Sequence, residues 1–273
     1  MKATLYLAWH AMRLYLRTRA FIFTMVLMPV LLFFVYMSIF AGGRPEKVLT
    51  FLGPVLVLMA TMNGIYGIGG DLLMMRETGA LLPYRLAPVT ALQILASRLI
   101  VDCLLTTAVG TIDVVLSVII YHMPLRAAPV DLFVIAVLSG LALGAFGAVI
   151  VSVSNGFPQA SMLSQVLFLA LLILSGMSVP LQSLPRTAQR IAEFLPTTAL
   201  VQAFNGVLLH GDTLADRWRE IVVITMLIAT CGGVAAALFR WEQSQRATRR
   251  DRMLACLAVV PLVVSGVWLN FHR

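Results

Sequence analysis

Apolar residues run in long blocks along this chain, and short polar connections separate them. Blocks of about 20 residues fall at about 20–40, 50–72, 99–120, 132–153, 161–180 and 219–239. Each is long enough to cross roughly 30 Å of hydrocarbon as an α-helix. A shorter seventh run at 253–270 contains Pro261 and Gly266 and follows the basic cluster Arg249-Arg250-Asp251-Arg252. It is read as a seventh, C-terminal transmembrane helix, with a segment lying in the interface as the alternative. Residues 1–19 have a different period: Leu5, Trp9, Met12 and Leu16 recur at helical spacing, with His10, Arg13 and Arg17 on a neighbouring face. That pattern predicts an amphipathic helix lying flat at the membrane interface, as an anchor or as a lever on a cytoplasmic partner. The fold class is therefore an all-α polytopic membrane protein. It has six core spans, an N-terminal interfacial helix (1–19), a core domain (20–240) and a C-terminal segment of basic linker plus extra apolar run (241–273).

The composition closes off the alternatives. Of 273 residues, 60% are hydrophobic and 12% charged, against about 25% charged in soluble domains. A soluble fold of this size cannot hide so much apolar surface. The net charge of +8 could suggest nucleic acid, but the 18 arginines and two lysines sit mainly between apolar runs. With the N-terminus inside, twelve basic residues fall on inner segments and eight on outer ones, four of these in the longest outer loop. The bias predicts a cytoplasmic N-terminus and no nucleic-acid partner. Cys103, Cys231 and Cys256 lie inside apolar runs and read as packing thiols, with no metal site.

Polar residues inside the runs narrow the chemistry. In the third run Asp102, Thr106, Gly110, Asp113 and Ser117 form one helical stripe, either a wall of an aqueous path or a hydrogen-bonding seam between helices. Asn63, Gly64, Gly67, Gly69 and Gly70 in the second run, and Gly140, Gly144 and Ala148 in the fourth, mark close helix packing. Residues 74–98 predict a cytoplasmic helix–Pro–helix element carrying leucines, a docking surface. Beyond the fifth run, Pro185 opens a short helix through Ile191 and Phe194, Pro196 stops it and Thr197 caps another, and the segment 181–212 predicts a hairpin dipping into the outer leaflet. No catalytic residues are assigned: there is no phosphate loop, no H-E-x-x-H, and no Ser or Cys nucleophile placed near a histidine.

Two stretches together resemble the permease subunits of type-2 ABC exporters, a likeness covering residues 1–240. One is R-E-T-G-A-L-L-P-Y-R-L-A-P-V-T-A-L-Q-I-L-A-S-R at 76–98. The other is S-G-M-S-V-P-L-Q-S-L-P-R-T-A-Q-R-I-A-E-F-L-P-T-T-A-L at 175–200. The resemblance implies that 76–88 is a coupling helix docking on a separate ATPase subunit. Arg76, Glu77 and Gly79 open it, Leu82 and Leu86 lie along it, and Pro88 follows. It implies that Ser175, Gly176, Pro180, Pro185 and Pro196 belong to re-entrant helices forming an outer gate. Two permease copies, or two related permeases, would pair with two ATPase subunits in the bacterial cytoplasmic membrane, using the first and fifth spans at their seam. This chain would bind no cofactor, with ATP and Mg held by the partner subunit.

Such a machine exports by alternating access. Met28, Phe33 and Tyr36 offer adaptable contacts along a translocation path, and Asp113 an attraction for a cationic drug. The expected cargo is a hydrophobic or amphipathic drug or lipid-like compound; a lipid-linked polysaccharide is the alternative. The rival mechanism is a proton-coupled secondary transporter using Asp102 and Asp113, which predicts a repeat between the halves of the chain; none is clear.

Overall fold

The computed structural model describes residues 2–42, 44–81, 84, 89–124, 128–178 and 181–239. The seventh apolar run, the basic cluster before it, Leu82, Leu86, Pro88 and Pro180 lie outside the described residues.

Helix α1 is Lys2–Arg17, and Thr18 back-bonds its hydroxyl to Leu14 O (2.9 Å) where the chain turns. The first span follows as α2 (Arg19–Ile22), a π-helical turn Phe23–Leu27 and α3 (Met28–Phe40). Gly42, at φ +55°, ends it by donating its N–H to Met37 O. The second span is α4 (Pro45–Met62), a π-helical segment Asn63–Ile68 and α5 (Gly69–Glu77). Pro45 starts it at the position where a missing N–H costs nothing.

Helix α6 (Ala91–Tyr121) opens on a capping box between Thr90 and Gln93. At 31 residues it is about 46 Å long, well beyond the ~30 Å of hydrocarbon. The separate second helix expected around Leu92, Ile94, Leu95 and Arg98 is thus the first two turns of the third span. The capping box, not Pro88 alone, sets where it begins. Helices α7 (Pro129–Val153) and α8 (Phe157–Leu174) follow across a three-residue turn. A 3₁₀ turn Leu181–Ser183, α9 (Arg186–Ala192), α10 (Pro196–Asn205) with a π-helical end Gly206–His210, and α11 (Trp218–Leu238) complete the order. No strand occurs among the described residues.

Six of these helices are long and apolar enough to cross a membrane, and they match the six sequence blocks. The second and fourth spans form the centre, with 78% and 67% of their most apolar stretches buried; the first and fifth bury only 17%. The centre is held by backbone contact. A Cβ on Gly147 would stand 2.0 Å from Gly64 O, and one on Gly64 would stand 2.5 Å from Leu143 C. Small residues let the two helices approach this closely and gain dispersion contact along their length. Gly144 serves a second neighbour, since its Cβ position lies 3.1 Å from Asp102 Oδ2 on α6.

Helix α1 lies against α6 through Ala8, Ala11 and Val101. Leu5, Trp9 and Leu16 stay more than half exposed, and Arg13 lies over the Trp9 ring at 4.9 Å. Leu5, Trp9 and Leu16 of the stripe seen in sequence therefore face away from the bundle, while Met12 packs against Ala8, Ala11 and Val101.

Candidate functional site

The bundle has two ends: a near end that carries α1, residues 78–81, the start of α6 and the turn 154–156, and a far end that carries 41–42, 122–124, 175–178 and 181–217. At the near end, Arg76 and Glu77 form the last turn of α5 and both reach the α7–α8 turn. Arg76 is buried (8% exposed) and donates Nη2–H to Ser154 O at 2.8 Å. Glu77 Oε1 accepts the Phe157 N–H at 2.6 Å, satisfying one of the open donors at the start of α8. Gly79 then turns the chain at φ +71°, which favours glycine. The segment expected to couple to a partner thus leaves the second span fastened at its entrance to the end of the fourth span and the start of the fifth.

A second near-end cluster was not foreseen. Tyr15 of α1 donates its hydroxyl hydrogen to Asp71 Oδ2, and Arg98 Nη1 reaches Tyr15 Oη (2.6 Å) and Asp71 Oδ2 (3.0 Å). Arg98 also lies 5.4 Å from the Tyr15 ring centre. Burial first, and then the adjacent carboxylate, raise the Tyr15 phenol above its ordinary range, so it remains a donor at physiological pH. The cluster ties α1 to the second and third spans. Its only sequence signal was one acid and one arginine near the inner ends of apolar runs, 27 positions apart.

The polar stripe of α6 faces protein. Asp113 and Ser117 are fully buried and Asp102 nearly so. Among the described residues, neither Asp113 oxygen nor Asp102 Oδ2 accepts a hydrogen bond. Asp102 sits in a notch between Gly67 and Gly144. Asp113 lines neither of the two larger cavities. One of these, about 320 Å³, is almost wholly apolar and lies between α4, α6, α7 and Phe204 of α10.

The far end holds the other, about 450 Å³, walled by the first two spans and the 175–217 segment. Ser175 is buried below it, while Gly176 (φ +84°) turns the chain over Leu181, whose Cγ would lie 3.0 Å from a Cβ there. Pro185 precedes α9 on the surface, and Pro196 begins α10, which is inserted among α4, α7 and α11 with Leu200, Ala203 and Phe204 fully or almost fully buried. Of the four translocation-path residues named from sequence, Tyr36 alone lines this cavity, donating its hydroxyl to Met177 O. Phe33 is buried edge-on against Phe34 and Tyr121, Met28 is exposed on the bundle's outside, and Asp113 is in the core. The structure does not bring the four together. What it gathers instead is Tyr36 with Phe51, Gln189, Glu193, Gln202 and Arg217.

A helical bundle of six membrane-length spans, with a buried small-residue centre and a helix pair folded into one end, defines a multi-pass α-helical membrane protein of the permease type. The profile of the ABC-2 type transporter family matches residues 2–209, and the chain belongs to that family. Among curated proteins it is 25% identical over 191 residues to the probable multidrug ABC transporter permease YbhR of Escherichia coli K12, covering 70% of this chain and 52% of that one. It is 26% identical over 182 residues to the inner membrane transport permease YhhJ of the same strain, covering 66% and 48%. The chain thus spans about half the length of the curated relatives it matches.

Proposed function

We propose that this chain is the membrane-spanning subunit of an ATP-driven exporter in the bacterial inner membrane. Its near end faces the cytoplasm, and a separate ABC ATPase, holding ATP and Mg, engages the 76–88 segment. The observation that carries this reading is the pair of bonds from Arg76 to the end of the fourth span and from Glu77 to the start of the fifth. A docking element can drive a conformational change only if a push on it is delivered to the helices that must move. Here the push reaches the second span through the continuous helix, the end of the fourth through the Arg76 bond and the start of the fifth through the Glu77 bond. The excess of basic residues on the segments read as inner in the sequence supports the orientation.

Two copies, or two related permeases, would enclose the path, with the far-end helices as the outer gate. A drug-like or lipid-like amphipathic cargo suits the apolar spans, and the name of YbhR as a probable multidrug permease agrees with it. The test is a co-purified permease–ATPase complex in vesicles. Leu82→Asp with Leu86→Asp should abolish permease-stimulated ATP turnover while the chain still inserts and purifies. Undiminished export in that double variant would remove the coupling assignment.

A further inference from the structure

We infer that the apolar cavity between α4, α6, α7 and α10 is a binding site for one acyl chain of a membrane phospholipid in the leaflet at the far end. The site lies within a single copy of the chain and does not rest on the export reading above. Its volume of about 320 Å³ falls at the lower edge of the ~300–1,000 Å³ of small-molecule pockets, which suits one slender chain. Small residues make the room. Gly110 of α6 lines the cavity with Ala60 of α4 and Ala136 of α7, and a Cβ on Gly110 would meet only Leu56 Cδ2, at 3.6 Å.

Position and depth say what enters. The mouth opens between two membrane-length helices, where Val115 of α6 and Phe133 of α7 stand about half exposed, so it meets hydrocarbon and not water. Along α7 the cavity runs from Pro129, the first residue of that span, to the buried Ser139. Ten residues of helix rise ~15 Å. That is half of the ~30 Å hydrocarbon core, or the depth of one leaflet. The slot thus has the reach of a lipid tail that enters at the far interface and ends near the midplane, against Thr106 and Phe204.

The wall also excludes a polar occupant. Among the described lining residues none is charged. Thr111 donates its hydroxyl to Thr107 O (2.7 Å), Ser139 to Ala136 O (2.8 Å), and Thr106 Oγ1 is enclosed within the packing. A charged or hydrogen-bonding group drawn inside would lose water and gain no partner. Left empty, the walls would forfeit dispersion contact, which a hydrocarbon chain restores. The tail therefore fills the slot while its headgroup stays at the interface.

The experiment uses the full chain, without any ATPase, in nanodiscs of phosphatidylethanolamine and phosphatidylglycerol. A trace of phosphatidylethanolamine carries a photoreactive diazirine in one acyl chain, placed either near the glycerol or near the terminal methyl. Mass spectrometry of the cross-linked peptides locates the label. The upper diazirine should mark α7 around 129–133, and the terminal one α6 around 106–110 and α7 around 136–139. Labelling there should exceed that of Met162, Val166 and Leu169 on the exposed face of α8 at least fivefold. Gly110→Leu, which fills the slot, should reduce it to the α8 level. Stripping lipid with detergent should lower the unfolding temperature of the native chain and leave that of Gly110→Leu unchanged. Labelling no stronger than on α8, which marks ordinary contact with surrounding lipid, overturns the inference. So does a reversed order of depth, a reading that needs no variant to fold. Full labelling in a folded Gly110→Leu chain also overturns it.

Discussion

Single glycines decide how closely the central helices approach, and their surroundings separate them sharply. Gly147→Ala would place a Cβ on Gly64 O, so the second and fourth spans must move apart. Overpacking of that kind costs about 1–3 kcal/mol, read as a lower unfolding temperature or denaturant midpoint of the detergent-solubilised protein. Gly232 and Gly233 of α11 have no heavy atom within 4 Å of a built Cβ. Alanine at either should be neutral or stabilise by about 0.5–1 kcal/mol, because helix-interior glycine carries an entropic cost. Similar losses from Gly147→Ala and Gly233→Ala would mean the crossing is not at Gly64. Asp113 obeys a different logic: it is fully buried and lines neither of the two larger cavities. Asp113→Asn should therefore leave the ratio of resistance to cationic and neutral compounds unchanged in cells expressing the complex. A selective loss in the Asp113 variant would return that aspartate to the path.

Elements show what the sequence made legible. The six spans were readable because about 20 apolar residues admit few other structures, and their order survives intact. Their ends were not readable from hydropathy. Glu46 and Lys47 lie in the first turn of α4 and Arg98 in the second turn of α6, in helix that extends past the apolar blocks. The glycine-bearing stretch from Asn63 signalled packing, and it packs, but through a π-helical segment that no periodicity announces. The clusters were least legible, because Tyr15 with Asp71 and Arg98, or Tyr36 with Glu193, are brought together only by tertiary packing. Glu77 is the case with most consequence, since it was named for a partner and is found holding α8. Glu77→Ala removes an acceptor from the first turn of α8, a loss of about 0.5–2 kcal/mol if it behaves like a helix cap. The complex should still assemble, but export per ATP hydrolysed should fall, because the ATPase then moves the second span without the fifth. Loss of assembly with unchanged stoichiometry in the surviving complex would assign Glu77 to docking alone.

For the whole molecule, the unequal burial of the spans bears on where a path can run. The second and fourth spans fill the middle of the bundle, and the two larger cavities are separate pockets with no residue in common. Meanwhile α3 and α8 turn Val35, Ile39, Met162, Val166 and Leu169 outward, all about half exposed or more. On the export reading proposed above, a bundle closed at its centre and open on two flanks would move its cargo between copies, with those flanks as candidates for the seam. The measurement is cross-linking in membranes, using a chain whose native cysteines are replaced by alanine and one cysteine is introduced at a time. Cysteine at Ile39 or Val166 should give a disulfide-linked dimer of this chain, and export should stop until a reductant is added. Cysteine at Val115 of α6, also about half exposed, serves as the control and should give neither effect. Dimers that form through Val115 alone, or export that persists in a fully cross-linked Val166→Cys dimer, would place the path elsewhere. The first outcome would move the seam to the third span. The second would show that the fifth span need not move, which would also remove the purpose assigned to the Glu77 bond.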